Sequence, residues 1–331
     1  MPDDYGYINA RVRVMHSKLL SSKLEEALSA ESYSEYLRVL TETDLAPDLG
    51  DATAQGAGLN ELDKALSRNF FGVAQKLAGL GDGNAGREIG LLLSKYDLLN
   101  LKAIARGKFS GRGSDEIEKS LIPAGTIKPA VLSGMAAAPD LGSLAQNLNV
   151  VGHPLANSFR TAVAQLAAEN DLLAFEVLLD QAYYREALKR SSDTLTGYFK
   201  RDIDGANIMT ALKLKAQGIS SNFERYFVAG GKEVGADRFA QIASGSGGLD
   251  GLAAFAGLSE ISDLGQAESV VRTVLLKDAK RLYTSDALGV GVVIGFLKEK
   301  ENEVALTRLI ARGKFYGVPN ETLRKEVGNG L

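Results

Sequence analysis

The chain has 331 residues, of which 45% are hydrophobic and 24% are charged, and its formal net charge is −3. This composition is typical of a globular protein, and the slight acidic excess argues against a nucleic-acid-binding protein, because such proteins usually carry clustered cations. Cysteine is absent and histidine occurs only twice, which excludes a disulfide framework and thiolate metal sites and leaves few ways to build a zinc site.

No membrane-spanning segment is predicted. The most apolar run, residues 287–297, is much shorter than the about 20 residues that a helix needs to cross a bilayer. The N-terminal residues do not resemble a signal peptide either, since Asp3 and Asp4 precede the first arginines. We therefore expect a soluble protein that meets a membrane only through a partner.

Apolar residues near the N-terminus recur at helical spacing. They predict two short amphipathic helices, marked by Leu20, Leu24 and Leu28 and then by Tyr33, Leu37 and Leu40.

Residues 81–86 read GDGNAG and match the GxGxxG pattern of dinucleotide-binding loops. That pattern holds a cofactor when it follows a strand and opens a helix. The preceding residues 75–80 include no β-branched side chain, so we interpret the segment as a glycine-rich connector between helices. An enzyme that binds a dinucleotide at this loop is the alternative.

An internal repeat is the most informative feature of the sequence. Residues 104–111 read IARGKFSG and residues 310–317 read IARGKFYG. A second copy between them is supported by spacing, because Asn100 precedes Gly111 by the same number of residues as Asn207 precedes Gly218. The positions that define the repeat are Asp97, Asn100, Gly107 and Gly111 in the first copy, Asp204, Asn207 and Gly218 in the second, and Glu303, Gly313 and Gly317 in the third.

Each copy predicts a helix hairpin. The glycines at 111, 218 and 317 suit a left-handed C-terminal cap. Residues 114–116, 220–222 and 319–321 then offer capping side chains for the start of a new helix. Because the third copy has Leu306 where the others have Asn100 and Asn207, we expect this helix face to be buried and both asparagines to bond to neighbouring backbone.

Cations gather at the hairpin tips, and two interpretations remain open. Positive charge near a helix C-terminus stabilises the helix through its dipole, or the same residues dock a partner. The candidate docking residues are Arg106, Lys108, Arg112, Arg312 and Lys314.

The remaining segments also predict helices. Gly152-His153-Pro154-Leu155 indicates a turn into a helix whose first position is the proline, with His153 in a structural role. One long amphipathic helix is expected to follow, and another near the third copy; the first is marked by Leu166, Leu173, Val177, Tyr184 and Leu188, the second by Val271, Leu275 and Leu282.

Catalytic motifs are not found. The Gly-Lys pairs lack the flanking residues of a Walker phosphate loop, and no GxSxG elbow is present. We therefore predict a non-enzyme with no catalytic, cofactor-binding or metal-binding residue.

Strand-like alternation is missing, so the expected fold class is all-α. A repeat period near 100 residues is too long for solenoid repeats and indicates three helical bundles, at about residues 1–127, 128–234 and 235–331. The residue pattern alone does not decide whether the bundles lie in a row or close into a ring.

Several motifs, in this order, resemble the C subunit of bacterial and archaeal V/A-type ATPases, whose eukaryotic counterpart is the d subunit of the vacuolar pump. They are residues 4–13 (DYGYINARVR), residues 152–155 (GHPL), Asn207 and residues 286–291 (DALGVG). One departure is Ala287, where the family pattern has proline.

The resemblance implies three pseudo-repeated bundles around a pseudo-threefold axis, forming a funnel with a central cavity. It further implies a rotor subunit that receives the lower end of the central shaft subunits and rests on the cytoplasmic face of the proteolipid ring. Such a protein is peripheral to the membrane, uses no cofactor and binds no nucleic acid. The alternative function is a free-standing helical scaffold for other partners.

Overall fold

The computed structural model describes residues 5–20, 23–54, 58–259, 261 and 263–328. Every regular element in that part of the chain is helical, which confirms the predicted all-α class. The α-helices are α1 (Tyr5–His16), α2 (Leu24–Ser29), α3 (Tyr33–Leu40), α4 (Leu59–Leu80), α5 (Gly83–Phe109), α6 (Ser114–Glu118), α7 (Pro129–Ala136), α8 (Leu141–Val150), α9 (Ala156–Glu169), α10 (Leu172–Arg190), α11 (Asp193–Ala216), α12 (Ala236–Ser244), α13 (Leu264–Ser285), α14 (Gly291–Phe315) and α15 (Asn320–Gly328). Short 3-10 helices cover Ala46–Asp48, Phe223–Tyr226 and Ala256–Leu258.

The chain divides into two compact units. The first combines Met1–Ile89 with Leu276–Leu331, and the second is Gly90–Leu275. The boundaries between the units fall within α5 and α13. The division into three bundles at 1–127, 128–234 and 235–331 stays a prediction.

In the first unit, α1 is tied to the turn between α13 and α14 by buried polar contacts. The amide nitrogen of Asn9 donates to the carbonyl oxygens of Ala287 at 3.2 Å and Gly289 at 3.0 Å. One turn earlier, the hydroxyl of Tyr5 donates to a carboxylate oxygen of Glu88 at 2.5 Å. Both side chains are buried, so the motif at residues 4–13 contributes to the core through its polar as well as its apolar residues.

The glycine-rich segment 81–86 is a tight connector between two helices, as predicted. It follows α4 and opens α5. A Cβ atom on Gly81 would lie 2.9 Å from the Cα of Gly86, and one on Gly86 would lie 2.7 Å from the carbonyl oxygen of Gly81. Only glycine permits this approach of the two backbones, which accounts for the pattern without a cofactor.

In the second unit, the predicted long helix after His153 is two helices. Asn170 takes the left-handed conformation (φ 54°) and ends α9. The carboxylate of Asp171 then accepts the backbone N–H of Ala174 at 2.9 Å and caps α10. The apolar spacing continues across this break, so periodicity alone could not show it. Pro154 is likewise not the first helical residue, because α9 begins at Ala156.

The connector supplies a stability test with an internal control. Gly86→Ala places a methyl group against the backbone of Gly81, and we expect it to lower the free energy of unfolding by about 1–3 kcal/mol. Gly79→Ala, in α4 with no atom within 4 Å of the added Cβ, is expected to be neutral or to stabilise by up to about 1 kcal/mol. Urea unfolding of both variants measures the difference. Equal effects would contradict the close-approach argument.

Candidate functional site at the repeated hairpins

The three repeat glycines end their helices in the same way. Gly111, Gly218 and Gly317 have φ angles of 69°, 70° and 70°, the predicted left-handed conformation. Each hairpin is closed by the two backbone hydrogen bonds of a Schellman motif. They run from Arg112 N to Gly107 O and Gly111 N to Lys108 O, from Ile219 N to Leu214 O and Gly218 N to Lys215 O, and from Val318 N to Gly313 O and Gly317 N to Lys314 O.

The segments after the glycines differ. The first and third hairpins continue into α6 and α15, whereas the second continues into the single 3-10 turn Phe223–Tyr226. The predicted capping by side chains was wrong at 114–116 and 220–222. Helix α6 has Gly113 at its N-cap, and neither α6 nor the 3-10 turn has a side-chain hydrogen bond there.

A glycine inside the helix explains this difference. A Cβ on Gly107 would overlap the side chain of Ile117 in α6, and one on Gly313 would overlap Leu323 in α15. The second copy has Leu214 at this position, and its side chain is fully buried. Glycine therefore lets a following helix pack closely on α5 and α14, while leucine fills the same space in the second copy.

The repeat asparagines hold nearby loops through their backbone. The amide of Asn100 donates to Ile122 O at 2.7 Å and accepts from Ile122 N at 2.7 Å. Asn207 makes the same pair of bonds with Val228, at 2.8 and 2.9 Å. Both asparagines are at most 1% exposed, and Leu306 is buried in the third copy. This confirms the predicted structural role.

The acidic position of each copy binds backbone N–H groups in a similar way. In the first copy, Asp97 accepts from Thr126 N at 2.8 Å and Ile127 N at 3.0 Å. In the second copy, Asp204 accepts from Glu233 N and Val234 N, both at 3.0 Å. Burial raises the pKa of Asp204, and the backbone donors oppose that rise.

The third copy binds the N-terminal part of the chain instead. Glu303 accepts from the backbone N–H of Leu20 at 2.5 Å and from the ammonium of Lys300 at 2.5 Å. The hydroxyl of Tyr36 donates to the carbonyl of Thr307 at 2.8 Å. The N-terminal segment of the first unit thus provides what the following loops provide in the other two copies.

Lys314, one of the candidate docking residues, serves this same contact. Its side chain is buried, with 7% of the residue exposed. Its ammonium donates to the carbonyl oxygen of Leu28 at 2.7 Å, to that of Ala30, and to Oδ1 of Asn320 at 2.5 Å. Burial lowers the pKa of Lys314. The docking assignment of Lys314 is therefore corrected, because this cation is used inside its own unit.

The tip arginines are accessible but have carboxylate neighbours. Their side chains are about half exposed, with values of 52% for Arg106, 56% for Arg112 and 58% for Arg312. The shortest N–O distances are 2.6 Å from Arg106 to Glu176, 3.5 Å from Arg112 to Glu116 and 3.8 Å from Arg312 to Asp63. Lys108 is half-buried.

Sequence reasoning missed several exposed residues at the same tips. Lys213 and Lys215 are exposed on the second hairpin and occupy the positions of Arg106 and Lys108. Phe109 and Phe315, which are equivalent to each other, are 43% and 46% exposed, and Tyr316 is 72% exposed. The common register with the closing glycines was the signal that could have identified them.

His153 accepts a hydrogen bond at the turn before α9. Its Nδ1 atom accepts from Leu155 N at 3.2 Å, and its Nε2 atom lies 3.7 Å from a carboxylate oxygen of Asp97. Asp286 accepts from Gly291 N at 2.9 Å before α14. This supports the structural interpretation of His153.

Within the described residues, no group of three or more histidine or acidic side chains is arranged to hold a metal ion. No helix in that part of the chain is both long enough and apolar enough to span a bilayer.

The buried asparagines allow a quantitative test. Asn207→Ala removes the partner of two backbone groups of Val228, and we expect it to lower the free energy of unfolding by about 2–4 kcal/mol. Asn157→Ala is the control, because Asn157 is exposed on α9, and its effect should stay within about 0.5 kcal/mol. Denaturant titration compares them, and a loss at Asn207 as small as that of the control would refute the structural role.

Comparison with known proteins gives one consistent result. The family described as ATP synthase (C/AC39) subunit matches residues 8–326. The chain is 47% identical over 329 residues to the C subunit of the V-type ATP synthase of Deinococcus radiodurans, covering 99% of this chain and 92% of that protein. It is 36% identical over 335 residues to the V-type C subunit of Thermus thermophilus, covering 99% of each chain.

A match at lower identity comes from an archaeal relative. The C subunit of the A-type ATP synthase of Methanocaldococcus jannaschii is 25% identical over 343 residues, covering 97% of this chain and 85% of that protein. Membership of this group separates the chain from the subunits that carry catalysis. The chain belongs to the family of ATP synthase C/AC39 subunits.

Proposed function

We propose that this chain is a non-catalytic rotor subunit of a V/A-type ATPase, the socket that joins the soluble central shaft to the membrane proteolipid ring. The single observation that carries the proposal is the family match along residues 8–326, together with relatives named as C subunits of V-type ATP synthases over nearly their whole length. The chain would sit at the cytoplasmic face of the membrane. It would pass torque in either direction, during ATP hydrolysis or ATP synthesis.

Packed helices suit this mechanical task. Protein interiors are close-packed and resist compression, so a helical body transmits force with little deformation. The hairpins add polar cross-links to that packing, since Asn100 and Asn207 bind the backbone of the loops that follow their helices and Lys314 binds backbone near the N-terminus. The expected three bundles around a central cavity, which would receive the shaft, are part of this proposal.

Each hairpin tip, within its own unit, is a proposed docking surface for the shaft subunits. The first tip presents half-exposed Arg106 and Arg112 with Phe109, and the third presents Arg312 with Phe315, which is equivalent to Phe109. A mixture of arginine and aromatic side chains is common in protein interfaces. The helix-dipole account explains the cations alone, whereas the exposed part of each phenylalanine ring would be stabilised further if a partner covered it.

The coupling role is tested by removing the chain from the complex. We expect the soluble head to keep hydrolysing ATP while ion transport driven by that hydrolysis is lost. Vesicles that contain complexes verified to lack this chain provide the measurement. Undiminished ion transport by those vesicles would rule out the role of a coupler.

The docking surface is tested at Arg112. Its pair with Glu116 is exposed and spaced i,i+4, a type of pair worth at most about 0.5 kcal/mol. Arg112→Glu should therefore weaken binding to the shaft subunits and leave the melting temperature of the isolated chain nearly unchanged. A pull-down with purified shaft subunits, titrated over concentration, measures the binding.

Arg190→Glu is the matched control, because Arg190 also makes an exposed i,i+4 pair, with Glu186, at the other end of α10 from Glu176, the partner of Arg106. Its binding should equal that of the unmodified chain. If both variants bind alike, the tip at Arg112 does not dock the shaft.

A further inference from the structure

In the second unit, ion pairs join one side of α5 to α10 and α11. The cations lie seven and four residues apart along α5, a spacing that places them on one face of the helix. The pairs are Lys95 with Asp202 at 2.5 Å, Lys102 with Asp180 at 2.5 Å and Arg106 with Glu176 at 2.6 Å.

These pairs define a register between antiparallel helices. From Lys102 to Arg106 the chain advances four residues along α5, and the partners step back four residues along α10, from Asp180 to Glu176. The side chains of Lys102 and Asp180 are only 10% and 14% exposed. A slip of one residue along either helix would therefore leave nearly buried charges without partners, which costs far more free energy than a shifted apolar contact.

The first unit has a related but more exposed set of contacts, in which 30% of the Arg308 side chain and 37% of the Asp63 side chain are exposed. Arg308 and Arg312 occupy on α14 the positions that Lys102 and Arg106 occupy on α5. The guanidinium of Arg308 contacts Asp63 of α4 at 2.9 Å and Ser67 at 3.2 Å, and Arg312 lies 3.8 Å from Asp63. Both arginines contact Asp63, and only Arg308 also reaches Ser67, one turn later on α4, as antiparallel helices would allow.

Stability alone does not require charges at these positions. A buried ion pair is often no more stabilising than a pair of apolar side chains of similar size. Apolar side chains interdigitate and so oppose sliding as well, but their attraction is non-directional and can form again in a shifted register. An ion pair with short hydrogen bonds favours a single register.

We propose that these pairs are register locks, which keep α5 on α10 and α14 on α4 from sliding while torque passes through the chain. The residues act by positioning helices and touch no substrate. The inference rests on the proposed coupling function. It adds which side chains would resist sliding of one helix along another under load.

The test replaces the charged side chains by apolar side chains of similar volume, in the intact rotary complex. The apolar variant combines Lys102→Met and Asp180→Leu. The swapped variant exchanges the signs through Lys102→Asp and Asp180→Lys. Both leave Arg106, a residue of the proposed docking surface, unchanged. A control removes the exposed pair of α10 through Arg190→Gln and Glu186→Gln. Each complex is assembled in vesicles, and the ions transported per ATP hydrolysed are measured with and without an opposing ion gradient.

We expect the apolar variant to assemble, to melt within about 4 °C of the unmodified chain, and to match it without a gradient. Against a gradient it should transport about twofold fewer ions per ATP, while the swapped and control variants keep the normal ratio. An apolar variant that is fully coupled against the gradient would overturn the register-lock role. Complexes without this chain that still transport ions would instead refute the proposed function itself.

Discussion

The hairpins depend on one kind of interaction, a polar side chain of a central helix that binds the backbone of a nearby loop. Asn100 and Asn207 each satisfy both the N–H and the C=O of a single loop residue. A loop lacks the regular backbone hydrogen bonds of a helix or sheet. A buried backbone N–H or C=O group without a hydrogen-bond partner destabilises the fold by about 1–3 kcal/mol. The asparagine therefore fixes where each loop can lie, and the loop in turn covers the helix.

The third copy solves the same problem with different residues. Leu306 replaces the asparagine, and the polar contacts move to Glu303 and Lys314, which bind the N-terminal segment near Leu20 and Leu28. Because that segment is far from α14 in sequence, its position is set by tertiary contacts and not by a short connection. The copies thus differ because a following loop supplies the partner backbone in the first two, and the N-terminal segment supplies it in the third.

Much of the fold could be predicted from local patterns, and the failures have local causes. Helical periodicity and the glycines at 111, 218 and 317 identified the class and the hairpin ends, because left-handed caps have a strong residue preference. The break at Asn170 was missed, since apolar spacing continues through it and only the Asn-Asp pair marks it. Lys314 was misplaced because its sequence neighbours match those of the half-buried Lys108, and its burial comes from residues near Leu28. Local sequence cannot report such a distant contact.

If the tips dock the shaft as proposed, their closed ends would suit them to transmit force. A flexible loop that held a partner would bend before it transferred torque, whereas each of these tips is fixed to its helix by two backbone hydrogen bonds within a few residues. Side chains such as Arg112 and Phe109 are therefore held relative to α5, and α5 is held relative to α10 by ion pairs along its length. In the proposed role, a force applied at the tip would reach the packed interior through helices and directional bonds, without passing through an unsupported segment.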